Sequence, residues 1–204
     1  MKPTCFFLLL LLVSCSQKEE PKEEVKVEPQ ASAIAEPEPT DFQDLPPGAN
    51  VEEFEDTPGV VRVSVRNGEN YSLLGSYKNK KRDGNWVEYH PNGLVKSITP
   101  YVDGKKEGLM IELNNNGTLE KRVMYHNNLR HGEYKEFNYV TVKEQRSYQF
   151  DKLEGTVRVF YPDGKIMEEG QYKNGTRDGL SRWYDQNGKV SIEYEYKNGE
   201  LVKK

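Results

Sequence analysis

Beyond residue 58 the chain carries no helical period. Apolar and aromatic side chains recur in short alternating runs, each closed by a turn rich in Gly and Asn. That is the pattern of half-buried strands joined as hairpins. Six glycines set the beat, at positions 59, 84, 108, 132, 155 and 179, spaced 23 to 25 residues apart. Six tyrosines keep the same beat: Tyr77, Tyr101, Tyr125, Tyr148, Tyr172 and Tyr196. Such a period marks a repeat architecture in which each unit packs only on its neighbours.

A second turn lies midway in most blocks: Pro91-Asn92-Gly93, Asn115-Asn116-Gly117, Pro162-Asp163-Gly164 and Gln186-Asn187-Gly188. These triplets fit a type I turn followed by a left-handed Gly, the three-residue hairpin loop. That loop fixes the register. It predicts the pairs Tyr89/Val95, Leu113/Leu119, Phe160/Ile166 and Tyr184/Val190, all apolar, as one shared face requires. The third block is a residue short and lacks its Gly. Its pair, Phe137/Val142, survives if the loop shrinks to Tyr139-Val140, which is poor turn chemistry and predicts an irregular turn.

Two other columns differ along the chain. Two residues after the block glycine stand Trp86, Met110, Tyr134, Val157 and Ser181, and three after it Val87, Ile111, Lys135, Arg158 and Arg182. The first blocks are thus expected to bury both faces and the last to be polar on one. The expected fold is all-β: an elongated, twisted antiparallel meander of about six tandem hairpins and about twelve strands, some 55 Å long at ordinary strand spacing.

The N-terminal part reads differently. Lys2 precedes an unbroken apolar run from Phe6 to Val13. Eight residues are too few for a spanning helix, which needs roughly 20, and they suit the h-region of a signal peptide. The run ends in Leu12-Val13-Ser14-Cys15, which resembles the lipobox of bacterial lipoproteins. The resemblance implies cleavage between Ser14 and Cys15 and lipid attachment at Cys15, with residues 1–14 as the signal peptide. Ser16 after the cysteine implies outer-membrane sorting in the same pattern. Removal of Cys5 and modification of Cys15 would leave no thiol for catalysis, metal binding or a disulfide.

Residues 16–58 hold seven of the eleven prolines, one glycine, thirteen Asp and Glu and three Lys, a net charge of −10. Few apolar groups with high like charge predict a disordered acidic tether from the lipidated Cys15 to residue 58, spanning about 35–40 Å as a coil. Residues 59–204 then carry 25 basic and 20 acidic side chains, a net of +5. That modest excess, in an envelope protein, argues against a nucleic-acid partner.

Near-copies surround the tyrosine beat: Tyr77-Lys-Asn-Lys-Lys-Arg-Asp-Gly84, Tyr101-Val-Asp-Gly-Lys-Lys-Glu-Gly108 and Tyr172-Lys-Asn-Gly-Thr-Arg-Asp-Gly179. Joined to Pro-Asn-Gly or Pro-Asp-Gly and a Val or Ile strand, they resemble the MORN-repeat-variant family (membrane occupation and recognition nexus), including bacterial YwqK-type antitoxin family proteins. The resemblance spans nearly all of 59–204. Lys80 and Asn128 depart from it, standing where the motif has a second Gly. It implies contact with a protein or a lipid; alternatively, an antitoxin or immunity protein that neutralises a toxin.

Candidate chemistry is sparse. Asp83, Glu107, Glu154 and Asp178 precede block glycines, with His131 in the third block. They recur once per hairpin, about 10 Å apart by strand spacing, too far for paired acid–base work, and suit capping of turn backbone. His126 and His131 flank one loop, short of the three or four ligands zinc needs, and His90 precedes a turn. No catalytic cluster, metal site or cofactor is expected. The cations are the stronger candidates. Lys80, Lys81, Arg82, Lys105, Lys106, Arg130, Lys152 and Arg177 fall in equivalent loops and should line one edge, with Lys135, Arg158 and Arg182 as a second row on a face. Interleaved with Tyr, they could meet an anionic lipid, a glycan or an acidic protein; equally they could serve solubility and edge protection. The sequence thus points to a non-enzymatic, membrane-anchored binding or scaffold surface at the bacterial envelope.

Overall fold

The computed structural model describes residues 41–203. The signal segment, the Ser14/Cys15 cleavage and lipidation site, and the tether up to residue 40 lie outside the described residues. The strands are β1 (Asn50–Glu53), β2 (Val60–Asn67), β3 (Asn70–Lys78), β4 (Lys81–Tyr89), β5 (Val95–Val102), β6 (Lys105–Lys106), β7 (Gly108–Leu113), β8 (Leu119–His126), β9 (Leu129–Asn138), β10 (Thr141–Gln149), β11 (Lys152–Leu153), β12 (Gly155–Phe160), β13 (Ile166–Lys173), β14 (Thr176–Tyr184), β15 (Val190–Lys197) and β16 (Glu200–Lys203). They form one open antiparallel sheet that follows chain order; the two-residue strands β6 and β11 pair β5 and β10 ahead of β7 and β12. No helix occurs among the described residues.

The register expected from the loops is the one found. Tyr89 faces Val95, Leu113 faces Leu119, Phe160 faces Ile166 and Tyr184 faces Val190. Each tip closes with the same two backbone bonds; in the first, His90 N–H donates to Leu94 O at 2.8 Å and Gly93 N–H to His90 O at 2.9 Å. Phe137 faces Val142 across the short loop. There Tyr139 takes a positive φ of 56°, a conformation usually left to Gly or Asn.

Two irregularities recur, and they explain the beat. Beyond each tip the return strand carries one extra residue: Glu88 faces Ser97 while Tyr89 faces Val95, leaving Lys96 over. At each block glycine the outgoing strand carries two: Ile98 faces Ile111 but Tyr101 faces Lys106. The same offset recurs around Gly84, Gly132, Gly155 and Gly179. All five glycines have φ between 72° and 113°. Left-handed backbone without a Cβ penalty is what these bulges need, and bulges of this kind sharpen local twist.

Directly paired residues share a face, so the register sorts the sheet. One face holds the tyrosine column together with Trp86, Val123, Tyr134 and Ser181. On the other, a row runs through Leu74, Val87, Ile98 and Ile111, then Arg122, Lys135, Gln145, Arg158, Glu169 and Arg182. The row turns from aliphatic to charged at Arg122, the change from first to last blocks expected from sequence.

The deepest packing lies at the N-terminal end of the tyrosine face. Val61, Val63, Tyr77 and Trp86 are buried, with Phe42, Ala49, Val51, Leu73 and Tyr101 packed against them. This moves the domain boundary expected at residue 59. Residues 41–58 belong to the fold: β1 pairs with β2, and Phe42 stacks on Tyr77 with ring centroids 5.0 Å apart. Averaged over the acidic stretch, composition hides Phe42, Ala49 and Val51, which pack against the buried core of the first repeat.

Tyr139 tests the turn argument. It is 77% exposed, so its side chain contributes little packing, while its left-handed backbone costs about 1–2 kcal/mol. Tyr139→Gly should raise stability by about 0.5–1 kcal/mol after the extra unfolded-state entropy of Gly; a shift of the denaturant midpoint checks it.

Candidate binding face

Each repeat pairs its tyrosine with a facing residue at the start of the next strand: Tyr77 with Arg82, Tyr101 with Lys106, Tyr125 with Arg130, Tyr148 with Leu153 and Tyr172 with Arg177. Four of the five are cations, and each also reaches the following tyrosine. The Arg82 guanidinium lies 4.3 Å from the Trp86 ring and 5.4 Å from Tyr101. Lys106 lies 5.1 Å from Tyr125, Arg130 4.1 Å from Tyr148, and Arg177 5.7 Å from Tyr196. The result is a ladder of rings and cations across the sheet, each contact worth roughly 0.5–1 kcal/mol where exposed and more where covered. Burial pushes the Tyr134 phenol up to about 12 and raises that of Tyr172.

The ladder meets a rim of two-residue loops. Both loop residues have positive φ, as in Asp103 (48°) with Gly104 (80°) and Asn127 (50°) with Asn128 (71°), the type I′ geometry that matches strand twist. The second loop residue donates its N–H to the carbonyl of the preceding ladder residue: Gly104 to Arg82 O, Asn128 to Lys106 O, Asp151 to Arg130 O, Gly175 to Leu153 O and Gly199 to Arg177 O, at 2.8–3.0 Å. At Asn128 and Asp151 the side chain completes the exchange. Asn128 Oδ1 accepts the Lys106 N–H at 2.8 Å, and Asp151 Oδ1 the Arg130 N–H at 3.0 Å.

Gly104 has no side chain to do this, and the segment 41–48 supplies one. Gln43 Oε1 accepts the Arg82 N–H at 3.4 Å, and its Nε2 donates to Gly104 O at 3.2 Å. Its own N–H donates to Lys80 O at 2.9 Å, and its carbonyl accepts the Tyr77 hydroxyl at 2.6 Å. Arg82 adds a bond from Nη2 to Asp44 O at 3.0 Å. Residues 41–48 thus form a strap laid across the first rungs.

Three of the four carboxylates expected to cap loop backbone do so. Glu107, Glu154 and Asp178 accept the N–H groups of Asn127, Asn174 and Asn198 at 2.9, 2.9 and 3.1 Å. The Asn127 N–H, then His126, hold the Glu107 carboxyl below its usual range; the Asn198 N–H, then Lys197, do so for Asp178. His126 Nδ1 lies 2.9 Å from Glu107 Oε1, and His131 stacks on Phe150 at 4.6 Å. His90 Nε2 lies 2.9 Å from Leu113 O, joining neighbouring tips. Among the described residues no group of three or more His, Cys, Asp or Glu is placed to hold a metal ion.

The cations are not a free row along one edge. Arg82, Lys106, Arg130 and Arg177 turn inward onto the rings, because the bulges set them directly opposite Tyr77, Tyr101, Tyr125 and Tyr172. Arg130 also pairs with Asp151 at 2.7 Å and Lys81 with Asp103 at 3.1 Å; Arg177 pairs with Glu168. The second row is internally matched as well: Lys135 with Glu133 at 2.7 Å, Arg158 with Glu169 at 2.7 Å and Arg182 with Glu193 at 2.6 Å. Lys80 occupies a left-handed loop position with φ 62°, and Lys105 is exposed. Sequence reasoning missed Phe42 and Gln43 in the strap and the bonding role of Asn128 and Asp151. The departure from Gly at Asn128 was the available signal.

Three segments, residues 82–103, 153–174 and 177–198, match the profile of the MORN repeat variant family. Each segment starts at a ladder residue, takes in a whole hairpin and ends in the next loop. The matches agree with the repeat architecture of the sheet. No curated protein matches the chain. Among solved structures, the crystal structure of TarM is similar at 19% identity over 48% of this chain, with a TM-score of 0.33. A mutant of S. aureus TarM in complex with Fondaparinux, alpha-GlcNAc-glycerol and UDP is similar at 14% identity over 77% of this chain, with a TM-score of 0.24. The chain covers 20% and 21% of those proteins.

A Cβ on Gly104 would stand 2.5 Å from Gln43 Oε1. Gly104→Asn should supply the acceptor for Arg82 in place, as Asn128 does for Lys106, and expel the strap. Faster hydrogen exchange across residues 41–48 and red-shifted Trp86 emission, with unchanged exchange beyond residue 105, would be the outcome.

Proposed function

We propose that this chain is a non-enzymatic lipoprotein of the bacterial envelope, anchored through Cys15, most simply at the outer membrane, and presenting its sheet to a protein or to an anionic lipid or glycan. The observation that carries the binding reading is the strap. The tyrosine face already holds a segment of chain, turned at Gln43–Asp44, using ring faces and the polar groups of the loop rim. The other repeats present variations of the same surface at a fixed spacing, an arrangement suited to extended ligands. The anchor reading rests on Lys2, the run Phe6–Val13 and Leu12-Val13-Ser14-Cys15.

The pairing of cations with carboxylates narrows the ligand. Surface charge on this sheet is largely matched internally, so recognition by stacking and by backbone hydrogen bonds is favoured over recognition by net charge. Two measurements test the proposal. Cys15→Ser should move the protein from the membrane to the soluble fraction and abolish palmitate labelling; an unchanged membrane fraction would refute the anchor. The purified chain should retain an envelope protein, phospholipid or glycan saturably, whereas reproducible turnover of a small substrate would refute the non-enzymatic reading.

A further inference from the structure

We propose that the C-terminal end of the tyrosine face, around Tyr172, Arg177, Tyr196 and Gly199, binds a peptide carrying an aromatic residue followed by glutamine and a turn. The inference rests on the binding role just proposed and names its ligand chemistry. The template is internal. Phe42-Gln43 already docks on the corresponding positions of the first repeat, Tyr77, Arg82, Tyr101 and Gly104.

The correspondence is close at the backbone. Asn198 and Gly199 have φ of 51° and 87°, against 48° and 80° for Asp103 and Gly104. Gly199 N–H donates to Arg177 O at 2.8 Å, as Gly104 N–H does to Arg82 O. Tyr172 faces Arg177 as Tyr77 faces Arg82. In between, Asn128 and Asp151 close their rungs with their own side chains. Glycine at 199 offers Arg177 no such acceptor. Space is also present: a Cβ on Gly199 would meet nothing nearer than Thr176 Cβ at 3.8 Å.

An incoming peptide therefore finds the contacts that hold Gln43. Its glutamine N–H meets the Gly175 carbonyl, in the place of Lys80. Its carboxamide bridges Arg177 N–H and Gly199 O, its carbonyl accepts from the Tyr172 hydroxyl, and its aromatic ring lies on Tyr172. Gly175 also lacks a side chain, but its N–H donates to the carbonyl of Leu153, where the cation of the ladder is missing. Ser181 stands where the first site has Trp86. The ring wall is rebuilt from Trp183, 5.3 Å from the Arg177 guanidinium, and from Tyr194, 6.4 Å from Tyr196.

The test uses the full chain and a fluorescent peptide with the sequence of residues 41–48, read by anisotropy. Wild type should bind it saturably. Gly199→Asn, which closes the rung in the manner of Asn128, should weaken binding at least about tenfold, as loss of a bridging carboxamide implies. The peptide with alanine at its glutamine position should fail alike. Gly104→Asn controls for exchange with the chain's own strap and should leave binding intact. No binding at about 1 mM peptide, or binding that Gly199→Asn leaves unchanged, overturns the inference. An envelope partner retained equally by wild type and Gly199→Asn would overturn this site while sparing the wider binding role.

Discussion

The outgoing strand of each repeat starts with one side paired to the preceding strand and the other beside a loop, and on that loop side the ladder of backbone bonds has no facing strand to complete it. A buried or half-buried backbone N–H without a partner costs about 1–3 kcal/mol, so every repeat must answer the same demand. The carbonyl is answered by the second loop residue at each rim. The N–H is answered by a side chain at three rungs, from Asn128, Asp151 or, outside the repeats, Gln43, while Gly175 and Gly199 bring none. The left-handed loops, the capping carboxylates and the strap all follow from that one requirement.

The sheet has a single layer, which explains why rings and cations share one face. Among the described residues few side chains are buried: Val61, Val63, Tyr77, Trp86, Val123 and Tyr148 are the apolar ones. With no second layer to pack against, area must come from side chains that lie flat and tolerate water at one end. Tyrosine does this, and Arg and Lys cover it with their stems while their charged ends reach carboxylates or solvent. Most of the cations are therefore fixed by the fold itself, which is why their spacing was so regular in the sequence.

Much of the architecture was legible in the chain. Turn triplets fixed the hairpin pairs, including Phe137 with Val142 in the degenerate block, because loop length and strand alternation are local rules. The two-residue offset at each block glycine was not legible, since alternation counted along one strand cannot show how many residues the neighbour spends at a bulge. That offset set Arg82, Lys106, Arg130 and Arg177 directly opposite the tyrosines. The strap was hidden for another reason. Phe42 and Gln43 sit in a stretch whose average composition reads as disordered, and their partners lie dozens of residues away.

The row that turns at Arg122 gives the far face two chemically unlike halves. Leu74, Val87, Ile98 and Ile111 form the leading half, and Arg158, Glu169 and Arg182 belong to the trailing one. Added electrolyte screens the trailing ion pairs within a Debye length of about 8–10 Å, while an excluded salt such as sulfate strengthens aliphatic burial in the leading half. Ionic conditions would thus loosen one end of the same sheet and tighten the other, so the molecule has a built-in polarity of response along its length.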